Sequence, residues 1–234
     1  MIRAFTLDLD DTLWPVAPAL ERADHALDGY LREHHPDVAR RWPIAAMREL
    51  RAQVAAERLD LAHDFTTQRQ LTFRQAFAAC GTVDAPVDVL WEVYFAARNH
   101  VELYPDALPA LQRITARWPV ASLTNGNADL ERIGIHTHFH CHVCARDTGV
   151  GKPDARIFAV AAQRLGVAPA NILHVGDDAE LDVCGARDAG LRTAWINRER
   201  KPWPAAFGAP PDLDLPDLAA LADWLEHDPP GTPL

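Results

Sequence analysis

The stretch Ile2-Arg3-Ala4-Phe5-Thr6-Leu7-Asp8-Leu9-Asp10-Asp11-Thr12 decides how the rest of this chain is read. Its opening residues are almost wholly apolar and run straight into an acidic turn, which is the pattern of a buried strand ending at Asp8. Two of these carboxylates ~4 Å apart would repel by roughly 4 kcal/mol at an effective dielectric near 20. A divalent cation removes that cost, and a donor set made only of oxygen suits Mg²⁺. Taken alone, acids after a strand serve equally well as a capping or solvated turn, so other segments of the chain must decide between the two.

Similar apolar runs recur at Val120-Ala121-Ser122-Leu123, Ile172-Leu173-His174-Val175 and Thr193-Ala194-Trp195-Ile196, with a further strand at Phe139 to Cys144. Helical stretches separate them: Asp106 to Trp118, Asp129 to Ile135, Asp154 to Leu165 and Ala179 to Ala189, with a terminal helix at Pro216 to His227. Strands alternating with helices of this length predict an α/β fold, a Rossmann-like parallel sheet with helices on both faces. The interval after the first strand is far too long for a crossover. It carries helical periodicity instead, at Leu20, Ala23, Leu27 and Leu31, at Leu50 and Val54, and at Phe73, Phe77 and Leu90. The expectation is a core of residues 1–15 and 102–234 with an inserted helical cap at 16–101, which would act as a lid. The proline-rich stretches Pro202 to Pro211 and Pro229 to Pro233 are expected to be a surface loop and a tail.

Three further features fall at predicted strand ends. Thr124-Asn125-Gly126 offers a hydroxyl and backbone N–H groups in a glycine-containing turn, the donors that a phosphoryl oxygen needs. Gly151-Lys152-Pro153 is expected to open a helix with the proline in its first turn. Lys152 is one of only two lysines against 21 arginines, so a lysine here argues for a compact point charge rather than for positive charge in general. Gly176-Asp177-Asp178-Ala179-Glu180-Leu181-Asp182 places Asp177 in a strand-end turn and Asp182 one helical turn further on, within reach of the same site. Each has an ordinary alternative: a plain turn, a chance lysine, or acids that suit a helix N-terminus. Their order along the chain makes the combination informative.

The four together resemble the motifs of the haloacid dehalogenase-like (HAD) hydrolases: Asp-x-Asp-x-Thr, then Ser/Thr, then Lys, then Gly-Asp-x(4)-Asp. The similarity covers almost the whole chain and includes a helical cap inserted after the first motif. It implies a phosphatase in which Asp8 attacks phosphorus and forms an aspartyl phosphate, while Asp10 handles the proton of the leaving oxygen and of the attacking water. It implies that Thr124, Asn125, Gly126 and Lys152 bind the phosphoryl group. Mg²⁺ would be held by Asp8, the Asp10 backbone carbonyl and Asp177, with Asp182 acting through water or by orienting Lys152, and Asp178 second choice as a ligand. Relatives that cleave carbon–halogen bonds lack the carboxylate at Asp10. The opening motif and the length resemble the bacterial subgroup that dephosphorylates flavin mononucleotide and riboflavin precursors; nucleotides and sugar phosphates stay open as substrates. A catalytically silent HAD-fold binding protein and a phosphomutase are the alternatives.

Composition narrows the partners. A net charge of -10 argues against nucleic acid and leaves a small phosphorylated metabolite. The first apolar stretch stops at Asp8 and no run approaches the ~20 residues of a membrane helix, so a cytoplasmic protein with reduced thiols is expected. His136, His138, His140, Cys141, His142 and Cys144 suggest zinc by composition, but neighbours on one strand do not close a tetrahedral shell, and a strand with alternating faces is expected. Arg41, Trp42, Arg48, Arg51, Arg69 and Arg74 are candidates for substrate contact, although solvated helix faces explain most of them.

Overall fold

In the computed structural model, which describes residues 1–227, the strands are β1 (Ala4–Leu7), β2 (Val120–Thr124), β3 (Cys141–Cys144), β4 (Ile172–Gly176), β5 (Arg192–Ile196) and β6 (Leu213–Leu215). They form one sheet in the order β3-β2-β1-β4-β5-β6, every pair parallel. β1, β2 and β4 are buried throughout, which is why they read as continuous apolar runs. The helices among the described residues are α1 (Val16–His34), α2 (Pro36–Arg41), α3 (Ile44–Glu57), α4 (Phe65–Ala78), α5 (Val87–Arg98), α6 (Ala107–Thr115), α7 (Leu130–Ile133), α8 (Ala145–Thr148), α9 (Ala155–Leu165), α10 (Gly185–Asp188) and α11 (Leu218–His227). None is long and apolar enough to cross a membrane.

Successive residues of a strand point to opposite faces. Ala4 joins Leu123, Val143 and Ile172 under Ile157, Phe158 and Ala161 of α9. Phe5 faces the other way and meets the edge of Trp118, ring centroids 5.6 Å apart, where α6 packs on α11. The sheet is therefore covered on both faces. From β1 the order runs outward to β2 on one side and to β4 on the other, so the carboxyl ends of these three strands surround the crevice where ligands bind in open α/β sheets.

The chain forms two compact units: 1–15, 102–126 and from 134 onward in one, 16–101 with 127–133 in the other. The second is helical, with Leu27 and Leu31 of α1, Met47 and Leu50 of α3, Phe73 and Phe77 of α4 and Leu90 of α5 in its core. A partly buried polar knot sits within it. Asp24 accepts from Arg48 at 2.6 Å and from Arg69 at 3.4 Å, and the Arg69 guanidinium lies 3.9 Å from the Tyr94 ring centroid. Arg48, Arg69 and Trp42, whose indole N–H donates to the Ala76 carbonyl, thus have structural work inside this unit.

Several local expectations are corrected. The proline-rich stretch Pro202 to Pro211 is a largely exposed loop with one 3₁₀ turn at Ala205–Phe207, and an unanticipated short strand, β6, comes after it, paired to β5 through Trp195 and Asp214. The histidine stretch is not one strand, because His136–His138 is a 3₁₀ turn and β3 starts only at Cys141. Pro153 precedes the helix instead of entering it; Asp154 caps α9 by accepting from the Arg156 N–H at 2.9 Å. The expected helix at 179–189 begins as a π-helical turn, Ala179–Cys184, before α10. The tail Pro229 to Pro233 lies outside the described residues.

Candidate active site

Asp8 comes directly after β1, its N–H donating to the Val175 carbonyl of β4 at 2.9 Å. That bond continues the sheet one residue beyond the strand and fixes where the carboxylate starts. Asp11 then turns the chain with a positive φ of 59°, a conformation that Asp tolerates better than most residues. The turn brings Thr12 Oγ1 back to within 3.5 Å of Asp8 and 3.1 Å of Asp177. Trp14 donates its indole N–H to Asp10 at 2.8 Å, which holds the Asp10 carboxylate in one orientation. Arg198, stacked 3.7 Å from the Tyr104 centroid and paired with Asp106 at 3.0 Å, donates to the Thr12 carbonyl at 2.9 Å.

Lys152 is buried, and its Nζ donates to Asp8 and to Asp182, both at 2.5 Å. Its backbone is clasped by Asn125, whose side chain accepts from the Lys152 N–H at 2.6 Å and donates to the Lys152 carbonyl at 2.9 Å. The Asn125 side-chain amide is thus engaged at both ends in placing Lys152. Gly151 has a physical reason here, since a Cβ would stand 2.7 Å from Asn125 Oδ1. Thr124, the last residue of β2, accepts from the Gly126 N–H at 2.9 Å, so hydroxyl and turn form one unit.

Asp177 comes directly after β4, with Trp195 donating to its backbone carbonyl at 2.6 Å. Asp178 is not aimed at the site. Its carboxylate caps the π-helical turn, accepting from the N–H groups of Glu180 and Leu181 at 2.8 and 2.7 Å. Asp182 does reach the site from inside that turn: Oδ1 takes Lys152 Nζ and His174 Nε2, and Oδ2 takes the Asp178 N–H at 3.0 Å. Thr6, His174, Trp195 and Arg198 support these residues through hydrogen bonds, and no motif in the sequence marks them.

Carboxylate oxygens of Asp8, Asp177 and Asp182 lie within 4.8 Å of one another. Three acids against one ammonium leave excess negative charge. Burial, only partly offset by Lys152 and reinforced by Asp182 and Asp177, holds the Asp8 carboxyl well above the usual range. Burial, with repulsion from Asp182 and Asp11, pushes Asp177 up to about 7. Asp182 goes the other way: burial raises it, but Lys152 and the His174 hydrogen bond outweigh burial and keep it ionised. For Lys152 burial disfavours the ammonium, and Asp182 and Asp8 together reverse that. A divalent cation fits this donor set, because it would relieve the two carboxylates that burial and mutual repulsion hold high.

A family model of haloacid dehalogenase-like hydrolases matches residues 2–190. The chain is similar to the 5-amino-6-(5-phospho-D-ribitylamino)uracil phosphatase YigB of Escherichia coli (strain K12), 29% identical over 232 residues that cover 96% of each protein. It is also similar to the glyceraldehyde 3-phosphate phosphatase of Methanopyrus kandleri, 31% identical and covering 85% of each. Among solved structures, the 2-haloacid dehalogenase from Pseudomonas syringae pv. Tomato DC3000 superposes with a TM-score of 0.89 at 33% identity, over 97% of this chain and 99% of that one. Fold, motif order and the match along most of the chain agree: this protein belongs to the haloacid dehalogenase-like hydrolases.

Proposed function

We propose that this chain, a phosphatase of the HAD family, hydrolyses phosphomonoesters of small metabolites through an aspartyl phosphate on Asp8. The observation that carries the reading is the Lys152 ammonium shared between Asp8 and Asp182, with Asp177 beside them at the ends of β1 and β4. Lys152 orients the Asp8 oxygen and favours its ionised form against burial, a balance that a bound cation would complete, as a carboxylate nucleophile requires. Asp8 attacks phosphorus, the bond from phosphorus to the ester oxygen breaks, and Asp10 gives its proton to the departing oxygen. Asp10 then takes a proton from water, whose oxygen displaces Asp8 and releases inorganic phosphate. Thr124 and the Gly126 turn donate to the phosphoryl oxygens as charge builds on them. Asp8, Asp177 and the Asp10 backbone carbonyl would hold Mg²⁺, which would supply positive charge against the two acids and the phosphoryl oxygens. Asp182 has both oxygens hydrogen-bonded, which supports its role as the support of Lys152 in place of a ligand.

Support for the substrate class comes from relatives that span the chain: one acts on a phosphorylated ribitylaminouracil, another on glyceraldehyde 3-phosphate. The former, at 96% mutual coverage, puts a phosphorylated riboflavin precursor first in the order of testing. Purified protein is expected to release phosphate from p-nitrophenyl phosphate with Mg²⁺, to stop with EDTA, and to be ranked on a metabolite panel. No release above blank with any divalent metal would sink the reading in favour of a binding protein. Return of phosphate to a sugar under a bisphosphate activator would indicate a mutase.

The likeness to a 2-haloacid dehalogenase favours a second reading, carbon–halogen hydrolysis with Asp8 as the same nucleophile. Asp10 weighs against it, because halide departs without a proton and needs no acid. Halide release from 2-chloropropionate, without phosphate release from any ester, would reverse the order.

A further inference from the structure

We propose that Thr6 and His174 are positioning residues of this site: through a buried file of hydrogen bonds they fix Asp182, and Asp182 fixes where Lys152 meets Asp8. The inference rests on the phosphatase reading for its kinetic consequences, but not for its geometry. Thr6 and His174 are opposite each other on β1 and β4, both fully buried. A strand position this buried ordinarily takes an apolar residue, and the neighbours Leu173 and Val175 conform. Thr6 Oγ1 lies 2.8 Å from Nδ1 of His174, and Nε2 lies 3.0 Å from Oδ1 of Asp182. That same Oδ1 receives Lys152 Nζ.

The direction of the file is set by donor chemistry. An ionised carboxylate only accepts, so Nε2 must carry the hydrogen. In a neutral ring Nδ1 is then bare and accepts the Thr6 hydroxyl. Burial favours that neutral ring, against the pull of Asp182. Phe158 meets the imidazole edge-on, centroids 5.1 Å apart at 89°, and limits its rotation. On the far side of the carboxylate the Asp178 N–H holds Oδ2, and Gly176 leaves the space: a Cβ there would overlap the Asp182 carboxyl group. Asp182 is thus held from three sides, and on one of them Thr6 braces the imidazole that donates to it. A core histidine satisfied for its own sake would not need its second nitrogen on the oxygen that carries the lysine.

The chain's two lysines make this testable without reference to turnover. In protein labelled with ¹⁵N-lysine the side-chain signals come from Lys152, 3% exposed, and Lys201, 65% exposed. Thr6→Val keeps shape and strand preference and removes the hydroxyl. It is expected to move the Lys152 ammonium resonance, leave Lys201 in place, and lower kcat for p-nitrophenyl phosphate about 3- to 10-fold, a small misplacement of a catalytic group. His174→Leu is expected to lower kcat by roughly 10- to 100-fold, and His174→Gln, whose amide can donate near the Nε2 position, to recover most of it. Thr6→Val and His174→Leu proteins that are folded by circular dichroism yet keep an unmoved Lys152 resonance and wild-type kcat would overturn the proposal. If His174→Leu does not fold, Thr6→Val decides alone. A wild-type chain inert towards every phosphoester would instead fail the phosphatase reading, and the Lys152 resonance would still decide the positioning.

Discussion

Asp8 is the proposed nucleophile, and Asp8→Asn is expected to lower phosphate release at least ~10³-fold while the fold survives, since the amide is isosteric and not a nucleophile. Asp177 gives a pH prediction. Its carboxyl is pushed from 3.8 up to about 7, so between those values the folded chain keeps a proton that the unfolded chain has lost. Stability of the metal-free protein must therefore fall as pH rises through that window. The shift corresponds to about 4 kcal/mol before screening by the solvent that reaches this partly exposed group. Thermal melts in EDTA should drop between about pH 4.5 and 7.5 by several degrees more in wild type than in Asp177→Asn; equal slopes would refute the assignment. Asp8 and Asp177 were legible in the sequence because a charged residue ending an apolar strand contradicts its surroundings, and Lys152 because it is one of two lysines against 21 arginines. Thr6 and His174 were not, because a polar residue inside a strand is ordinary until its partner across the sheet is known. The aligned positions of the two were the available signal.

At the scale of elements, the decisive join is β4 running into a π-helical turn. The turn carries Asp182 back over Gly176, and the missing side chain is what admits it. Gly176→Ala is expected to cost about 1–3 kcal/mol by overpacking and to cut activity at least ~10-fold through displacement of Asp182 from Lys152. A variant that melts lower but turns over normally would show that Asp182 can move without consequence. The long buried strands were legible in the sequence, since residues buried on both faces must be apolar. β6 was not: two half-buried leucines around an exposed Asp214, between prolines, have too little periodicity to register. The histidine stretch misled for a related reason. Alternation there suggested a strand, but the chain spends His136–His138 in a tight turn, and only His142 lies on β3, where it meets Ser122 at 2.6 Å.

Over the whole molecule, the parallel sheet serves as a frame that delivers acids from β1 and β4, a hydroxyl from β2 and a lysine from the loop before α9 to one crevice. Excess negative charge there couples cation binding to folding. At ~100 times its dissociation constant, Mg²⁺ should stabilise the protein by about 2.7 kcal/mol, roughly 5–10 °C for a chain of this size. EDTA should remove the gain, and Asp177→Asn should lack it. Absence of any Mg²⁺ shift in wild type would count against Mg²⁺ at this site. Trp195 offers a way to watch the same event. Its indole N–H is bonded to the backbone carbonyl of Asp177, and its ring meets Trp203 edge-on at 5.4 Å. The chain therefore carries an intrinsic optical reporter hydrogen-bonded to the acid proposed to receive the cation. Titration of Mg²⁺ or phosphate should change tryptophan emission in wild type and leave Trp195→Phe nearly silent, so occupancy can be followed in real time without a chromogenic ester.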